Sequence, residues 1–318
     1  MQTPLTVEIE DNLARARPWG AQAAAEGARL VVCPEFLAAG YVYDESIWRA
    51  SEPRGGPTET WLAARAREHR IFIGASYLEA EGDEFYNTFA LFAPDGGVCG
   101  RVRKESLPAF EGWYFRSCEQ PKVIATELGR IAVGICQDNH TARFMKRLCR
   151  DDVDLVLMPH SAPCVPFGAR MMREALAEVA SFYASRFGVP TVLVNKVHSR
   201  SRTPVPGLPL LSIPFDFPGL STVCDSDGRI LDQLAGREGI VVAEVTLDPL
   251  RKKHPPAPRE LYWSRPPRRF GGALGLWFML MERLGKRAYE RNAARPRAAR
   301  AAVAARPARP AHPHLTAV

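Results

Sequence analysis

Three residues that together can break a carbon–nitrogen bond stand at the ends of three strand-like runs. Cys136 closes the run Arg-Ile-Ala-Val-Gly-Ile-Cys at 130–136, and polar Gln137, Asp138, Asn139 and His140 follow at once. The run Leu30-Val31-Val32-Cys33-Pro34 delivers Glu35, and the run from Val98 to Arg103 delivers Lys104. At the mouth of a sheet the backbone turns outward. A thiol, a carboxylate and an ammonium from three strand ends can therefore converge on one site.

An amide or nitrile carbon is a weak electrophile, and attack near neutral pH needs a nucleophile as strong as a thiolate. A free thiol is mostly protonated at pH 7 and is activated by a base, a cation or a helix N-terminus. Cys136 precedes a predicted helix. Glu35 can take the thiol proton and later return it to the leaving amine. Lys104 balances charge and donates to the tetrahedral oxyanion, and the backbone N–H of Gln137 is the natural second donor. Such a donor is worth about 3–4 kcal/mol in the transition state. Each residue alone has a plainer reading: a packed thiol, an acid at a helix N-terminus, a surface lysine. Their joint placement favours a site. A Cys136–His140 or Cys136–His160 dyad is the rival arrangement, and either histidine also reads as structural or as a contact to a polar substrate group.

The elements that must hold these residues alternate between helix and strand periodicity. Helices are predicted over 12–28, 58–69, 142–150 and 170–187. Strands are predicted over 30–32, 71–76, 87–93, 98–103, 122–125, 129–136, 155–159, 189–195, 221–224, 229–234 and 240–246. Pro94-Asp95-Gly96-Gly97 and Asp225-Ser226-Asp227-Gly228 mark hairpin turns. Strand–helix alternation mixed with hairpins makes an α/β layered domain, and no repeat of solenoid length occurs. An aromatic-rich irregular segment at 104–120 follows the lysine. Beyond Pro255 a proline-rich stretch leads to an amphipathic helix over 271–289, which covers the protein's own core or a partner subunit. An interfacial membrane helix is the alternative. Met1-Gln2-Thr3-Pro4 reads as the exit of a strand whose body lies upstream.

The chain resembles the nitrilase superfamily of carbon–nitrogen hydrolases. The resemblance rests on Asn12-Leu13, on 26–35 (Glu-Gly-Ala-Arg-Leu-Val-Val-Cys-Pro-Glu), on 103–108 (Arg-Lys-Glu-Ser-Leu-Pro) and on 134–138 (Gly-Ile-Cys-Gln-Asp). It extends to Gly188-Val189-Pro190 with Asn195, and to Gly219-Leu220-Ser221 with Asp227-Gly228. It covers roughly residues 1–248. It implies a four-layer α-β-β-α sandwich that dimerises through helices, with Glu35 as general base, Lys104 as oxyanion donor and Cys136 as nucleophile of a thioester. It also implies a second glutamate after the lysine, a place that Glu111 fits, where it orients Lys104 and the substrate amine. The sequence departs from the family where an aromatic-Pro-Glu stretch commonly follows the cysteine; here it is Asn139-His140-Thr141-Ala142. Gln137-Asp138 in place of the Trp-Glu of nitrilases is closer to the amidase and carbamoylase branches. Tyr41, Trp113, Tyr114 and Phe36 are candidate pocket aromatics. The expected activity is hydrolysis of a linear amide or N-carbamoyl compound without metal or organic cofactor. The alternatives are nitrile hydrolysis, acyl transfer to an amine, or a non-catalytic partner-binding scaffold.

Composition narrows the setting. The 318 residues carry a net charge of +7, but six arginines and no acid lie in 291–318. Subtracting those six from 42 leaves 36 basic against 35 acidic residues. The basicity thus belongs to a tail, with weak, salt-sensitive nucleic-acid binding as its one expected consequence. That tail, alanine, arginine and proline, is expected to be disordered. Seven cysteines without a Cys-x-x-Cys pair point to a reducing compartment and away from a structural zinc. No secretory signal or membrane-length apolar window occurs, so a cytoplasmic protein is expected. The organisation reads as a catalytic domain at 1–254, an extension at 255–290 and the tail at 291–318, with a homodimer or larger homo-oligomer as partner state.

Overall fold

The structure is a computed structural model, and it describes residues 9–40, 43–165, 169–197, 201–206, 208–259 and 273–305. Two sheets carry the architecture. The first has four strands in the order β1 (Leu30–Val32), β2 (Phe72–Glu81), β3 (Glu84–Phe92) and β4 (Val98–Arg103). β1 runs parallel to β2 and the others are antiparallel. The second sheet has six strands. β5 (Val123–Thr126) lies at one edge, followed by β6 (Gly129–Val133), β7 (Leu155–Pro159) and β8 (Thr191–Val194), with β11 (Ser221–Cys224) and β12 (Ile230–Leu234) at the other edge. Its centre, β6-β7-β8, is parallel, and its crossovers are α3 (Ala142–Leu148) and α4 (Ala169–Phe187). Parallel neighbours need such a crossover, because the chain must return to the same end of the sheet.

Three apolar layers hold four structural ones. Outside the first sheet, α1 (Ile9–Ala25) and α2 (Pro57–His69) bury Leu13, Ala16, Leu62 and Ala66 against Ile73, Ala75 and Tyr77. Between the sheets, Val32, Phe89, Leu91 and Val102 meet Ile131, Val133, Leu155 and Leu157. Outside the second sheet, Phe144 and Leu148 of α3 and Leu176, Val179, Tyr183 and Phe187 of α4 pack on Val156 and Met158. The α4 residues recur at helical spacing, which turns one stripe to the sheet. The result is the four-layer α-β-β-α sandwich.

Most expected elements form at the expected places, with ends moved by a few residues. Two expectations are corrected. Residues 240–246 have strand composition but form no ladder; a cavity of about 570 Å³ lies between this stretch and β1, lined by Leu30–Val32, Val192–Val194 and 240–245. Among the described residues no strand pairs with this stretch, and strand propensity alone does not make a strand. The tail is not disordered over its first part: α6 (Arg295–Ala304) is a helix whose Ala299 is fully buried beside Trp48, Phe85 and Tyr114. Alanine contributes little apolar area but has the highest helix propensity, and its small side chain lets the helix sit close. Arg300 pairs with Asp83 at 2.9 Å, and Arg295 pairs with Glu84. A further hairpin, β9 (Ser201–Val205) with β10 (Leu208–Phe215), was not expected. Residues 1–8, which include the start of the chain, lie outside the described residues, as does Tyr41. Among the described residues no helix is long and apolar enough to cross a membrane, and all seven cysteines are free thiols.

Candidate active site

The end of β4 carries Lys104 into the space between the sheets. Its Nζ donates to Glu35 Oε1 at 2.7 Å and to both oxygens of Glu111, at 2.9 and 2.7 Å. All three side chains are fully buried. Burial opposes the ammonium, but Glu111 above all, then Glu35 and Cys136, hold its pKa well above the ordinary lysine range. The cluster thus contains two carboxylates around one cation. Burial first, with the charge of Glu35 added, pushes Glu111 up to about 7 against the pull of Lys104. Tyr43 also donates to Glu111 Oε1, at 3.1 Å.

Glu35 follows β1 and is gripped on both oxygens. Oε1 accepts from Asn87 Nδ2 at 2.7 Å, and Oε2 accepts from the backbone N–H of Ser161 at 2.7 Å. Ser76 Oγ links the framework, donating to Asn87 Oδ1 at 2.6 Å and accepting from the Phe36 N–H at 3.1 Å. Phe36 sits at φ +51°, a left-handed turn costly for a residue with a side chain. Lys196, fully buried at the end of β8, donates to the Phe36 carbonyl at 2.9 Å and the Ala39 carbonyl at 3.4 Å, and so ties this turn down.

Cys136 opens a short turn of helix at 136–140, immediately after β6. It too is left-handed, at φ +47°, which swings the residue off the line of the strand. Asp138 and Asn139 hold that geometry. Asp138 Oδ1 accepts from the N–H groups of Glu105 (3.2 Å) and Ser106 (2.8 Å), so the Cys136 turn is locked to the segment after Lys104. Asn139 Nδ2 donates to the carbonyls of Gly134 at 2.6 Å and Cys136 at 3.2 Å. The approach is so close that a Cβ on Gly134 would lie 2.1 Å from Asn139 Oδ1. Burial, then the charge of Glu35, pushes the Cys136 thiol well above its ordinary range; Lys104 and the Ser161 N–H pull the other way. Sulfur, ammonium and both carboxylates therefore act on one another within one buried site.

The remaining sequence candidates divide. Gln137 is buried next to Cys136, and its Nε2 has no hydrogen-bond partner within the described residues. His140 and His160 meet edge to face, ring centres 5.8 Å apart. Burial above all lowers them to about 3 and about 4, so both imidazoles are neutral. His160 Nδ1 lies 2.9 Å from the Met158 carbonyl, which makes Nδ1 the protonated nitrogen and leaves buried Nε2 as an acceptor without a partner. Tyr114 stacks on Tyr43, centroids 6.4 Å apart, and Phe36 packs on Phe115; both belong to the aromatic cluster behind Glu111. Trp113 turns its ring toward a helix of the C-terminal region, α5 (Ala273–Arg291). Tyr41 lies outside the described residues. Sequence reasoning missed Asn87, Ser161, Tyr43 and Lys196. The one signal for Lys196 was a cation directly after the buried run at 191–195. Among the described residues no group of three His, Cys, Asp or Glu could hold a metal ion.

A layered sandwich whose strand ends bury a thiol, an ammonium and two carboxylates is the frame of an enzyme acting on carbon–nitrogen bonds. The chain belongs to the carbon–nitrogen hydrolase family, whose family model matches residues 1–254. It is 23% identical to an N-carbamoylputrescine amidase of Solanum tuberosum over 80% of this chain and 87% of that one. To a chloroplastic omega-amidase of Arabidopsis thaliana it is 30% identical, over 43% of this chain and 41% of the relative. Among solved structures, a carbon–nitrogen hydrolase from Helicobacter pylori G27 superposes with a TM-score of 0.70 at 19% identity, covering 78% of this chain and 88% of that one. A glutamate-to-glutamine mutant of the amidase from Nesterenkonia sp. AN1, showing covalent addition of the acetamide moiety of fluoroacetamide at its active site cysteine, superposes with a TM-score of 0.62 at 20% identity, over 75% of this chain and 85% of that one.

Proposed function

We propose that the protein hydrolyses a linear amide or N-carbamoyl compound through a thioester on Cys136. The supporting observation is the Lys104 ammonium fixed between Glu35 and Glu111 beside the left-handed Cys136 turn. In this mechanism Glu35 takes the Cys136 proton as the sulfur attacks the carbonyl carbon. A base is needed because burial keeps the resting thiol protonated. The oxyanion is held by Lys104 and the Gln137 N–H. Collapse breaks the carbon–nitrogen bond, and the leaving amine takes the proton from Glu35. Water then attacks the thioester, gives one proton to Glu35 and releases the acid; that proton returns to the Cys136 sulfur. Glu111 keeps the ammonium in place throughout.

The amidase and carbamoylase branch is favoured by the names of the relatives and by the polar atoms near the nucleophile. Gln137 Nε2 is a buried donor and His160 Nε2 a buried acceptor, both without protein partners among the described residues. Buried polar groups of this kind are costly unless a partner arrives. A primary amide or ureido group offers both an acceptor and a donor. The test is an ammonia-release screen over linear amides, N-carbamoyl amines and nitriles, with Cys136→Ala as the blank. Turnover of amides or carbamoyl compounds that vanishes in the blank supports the reading. Turnover that survives in Cys136→Ala, or that is confined to nitriles, overturns it.

A further inference from the structure

The C-terminal region lies outside the matched residues, yet α5 packs on the turn that carries Glu111. That turn, Glu111–Trp113, meets α5 at Gly285. A Cβ placed on Gly285 would lie 2.7 Å from Trp113 Cε3 and 2.8 Å from the Gly112 carbonyl carbon. From the other side, a Cβ on Gly112 would lie 3.5 Å from Gly285 Cα and 3.6 Å from the Glu282 carbonyl oxygen. Two glycines therefore face each other, and backbone meets backbone without a side chain between them. One helical turn away, Glu282 accepts from Arg143 at 2.9 Å. Arg143 sits at the start of α3, the helix that follows the Cys136 turn. Phe278, a turn further, is buried against Ala175 and the partly buried Ala109. Tyr289 at the far end accepts from the Phe85 N–H at 2.9 Å. One helix thus touches the Glu111 turn, the helix after Cys136 and the β2–β3 hairpin.

We infer that α5 is a strap that positions Glu111, and through it the Lys104 ammonium, so that the C-terminal extension is part of the catalytic apparatus rather than an appendage. Gly285 acts as a positioning residue: it reaches no reacting atom, and its effect passes through Gly112 and Trp113 to Glu111. A rigid ring and a backbone carbon cannot yield to an added methyl by rotating away, so the Glu111 turn itself must shift. Misplacement of a catalytic group by about 1 Å costs about 10²-fold in rate.

This inference rests on the proposed roles of Lys104 and Glu111, and its test separates the two. In the full chain, Gly285→Ala, Glu111→Gln and the double variant are compared for kcat, KM and melting temperature. The pH dependence of iodoacetamide alkylation at Cys136 is recorded alongside. The expected result is a fall in kcat of about 10²-fold in Gly285→Ala, with the double variant no slower than Glu111→Gln alone. The alkylation midpoint should move in the same direction in both single variants. Leu284→Ala, on the exposed face of the same helix, should change none of these. If Gly285→Ala does not fold, Gly112→Ala, whose Cβ would lie 3.5 Å from Gly285 Cα, carries the same cycle with a smaller effect. Additive losses, or a lower melting temperature with unchanged kcat and alkylation midpoint, would overturn the strap. The alkylation arm needs no turnover, so it answers even where the ammonia screen finds no substrate.

Discussion

Replacing Glu111 with Gln tests how the buried cluster shares its charge. Lys104 Nζ stands 2.7 Å from Glu35 Oε1 and 2.7 Å from Glu111 Oε2, with no exposed surface on any of the three side chains. Two carboxylates and one ammonium leave one surplus negative charge in a medium that solvates it poorly. A proton is then retained to higher pH than on an isolated carboxylate, and the titration belongs to the pair. Glu111 is accordingly raised to about 7. As pH falls through about 7, the cluster gains a proton, which either loosens the hold on Lys104 or removes the base. The log of kcat/KM should therefore decline on an acid limb near pH 7. In Glu111→Gln the competing charge is gone, while Glu35 keeps Lys104 and Asn87. The limb near pH 7 should therefore be lost in this variant. At the optimum, kcat should fall about 10²–10³-fold, the cost of a misaligned oxyanion donor. Stability should change much less, because the lost counterion is offset by not burying a second carboxylate. Its pH dependence has a defined sign. A carboxyl raised from 4.5 to about 7 contributes stability that is full below 4.5 and lost as pH rises to about 7. Urea unfolding across that window should be flatter in Glu111→Gln. An acid limb that stays in place, with kcat within about twofold of the native value, would refute the shared-charge reasoning.

Other substitutions probe other parts of the frame. Gly134→Ala places a Cβ 2.1 Å from Asn139 Oδ1 and 2.7 Å from Phe144 Cε1; overpacking of this kind costs about 1–3 kcal/mol or more, read as a lower denaturation midpoint. Lys196→Met removes the donor to the Phe36 and Ala39 carbonyls. It should cost about 1–3 kcal/mol for a buried group left unsatisfied and lower kcat by loosening the Glu35 turn, with unchanged kcat as the refuting result. Asp138→Asn keeps the size of the side chain but weakens its acceptance from Glu105, Ser106 and Ile135. Activity should fall more than melting temperature, and an equal loss of both would contradict a role in aligning the Lys104 segment with the Cys136 turn.

The convergence of Glu35, Lys104 and Cys136 was legible because each follows a strand-like run that stops abruptly at one reactive residue. At these three places the run is a strand and its exit opens toward the space between the sheets. Partners supplied by backbone could not be read this way: the Ser161 N–H that grips Glu35 carries no side-chain signature. Asn87 was hidden differently. It lies inside β3, opposite Leu78 in the ladder, and nothing local reveals which face of the sheet meets a carboxylate from another strand. Lys196 is an amine in an apolar setting, where burial pulls its pKa well below the ordinary lysine range, and it is satisfied by carbonyls of a loop 160 positions earlier. The tail was misread because low hydrophobicity resembles disorder, whereas α6 docks through one small buried residue, Ala299. The stretch 240–246 erred the other way, since strand composition counts for little where no strand among the described residues pairs with it. The amphipathic helix was visible, but not the glycine contact with the Glu111 turn, which depends on the absence of side chains.

The nucleophile is most directly tested by trapping it. A single turnover with an amide or N-carbamoyl substrate, quenched in acid and digested, is read by mass spectrometry for acyl groups on cysteine peptides. The account predicts an acyl mass on the peptide containing Cys136 and on none of the other six cysteines, at a level that rises and decays with turnover. Turnover without that adduct, or with the acyl group on another residue, would contradict it.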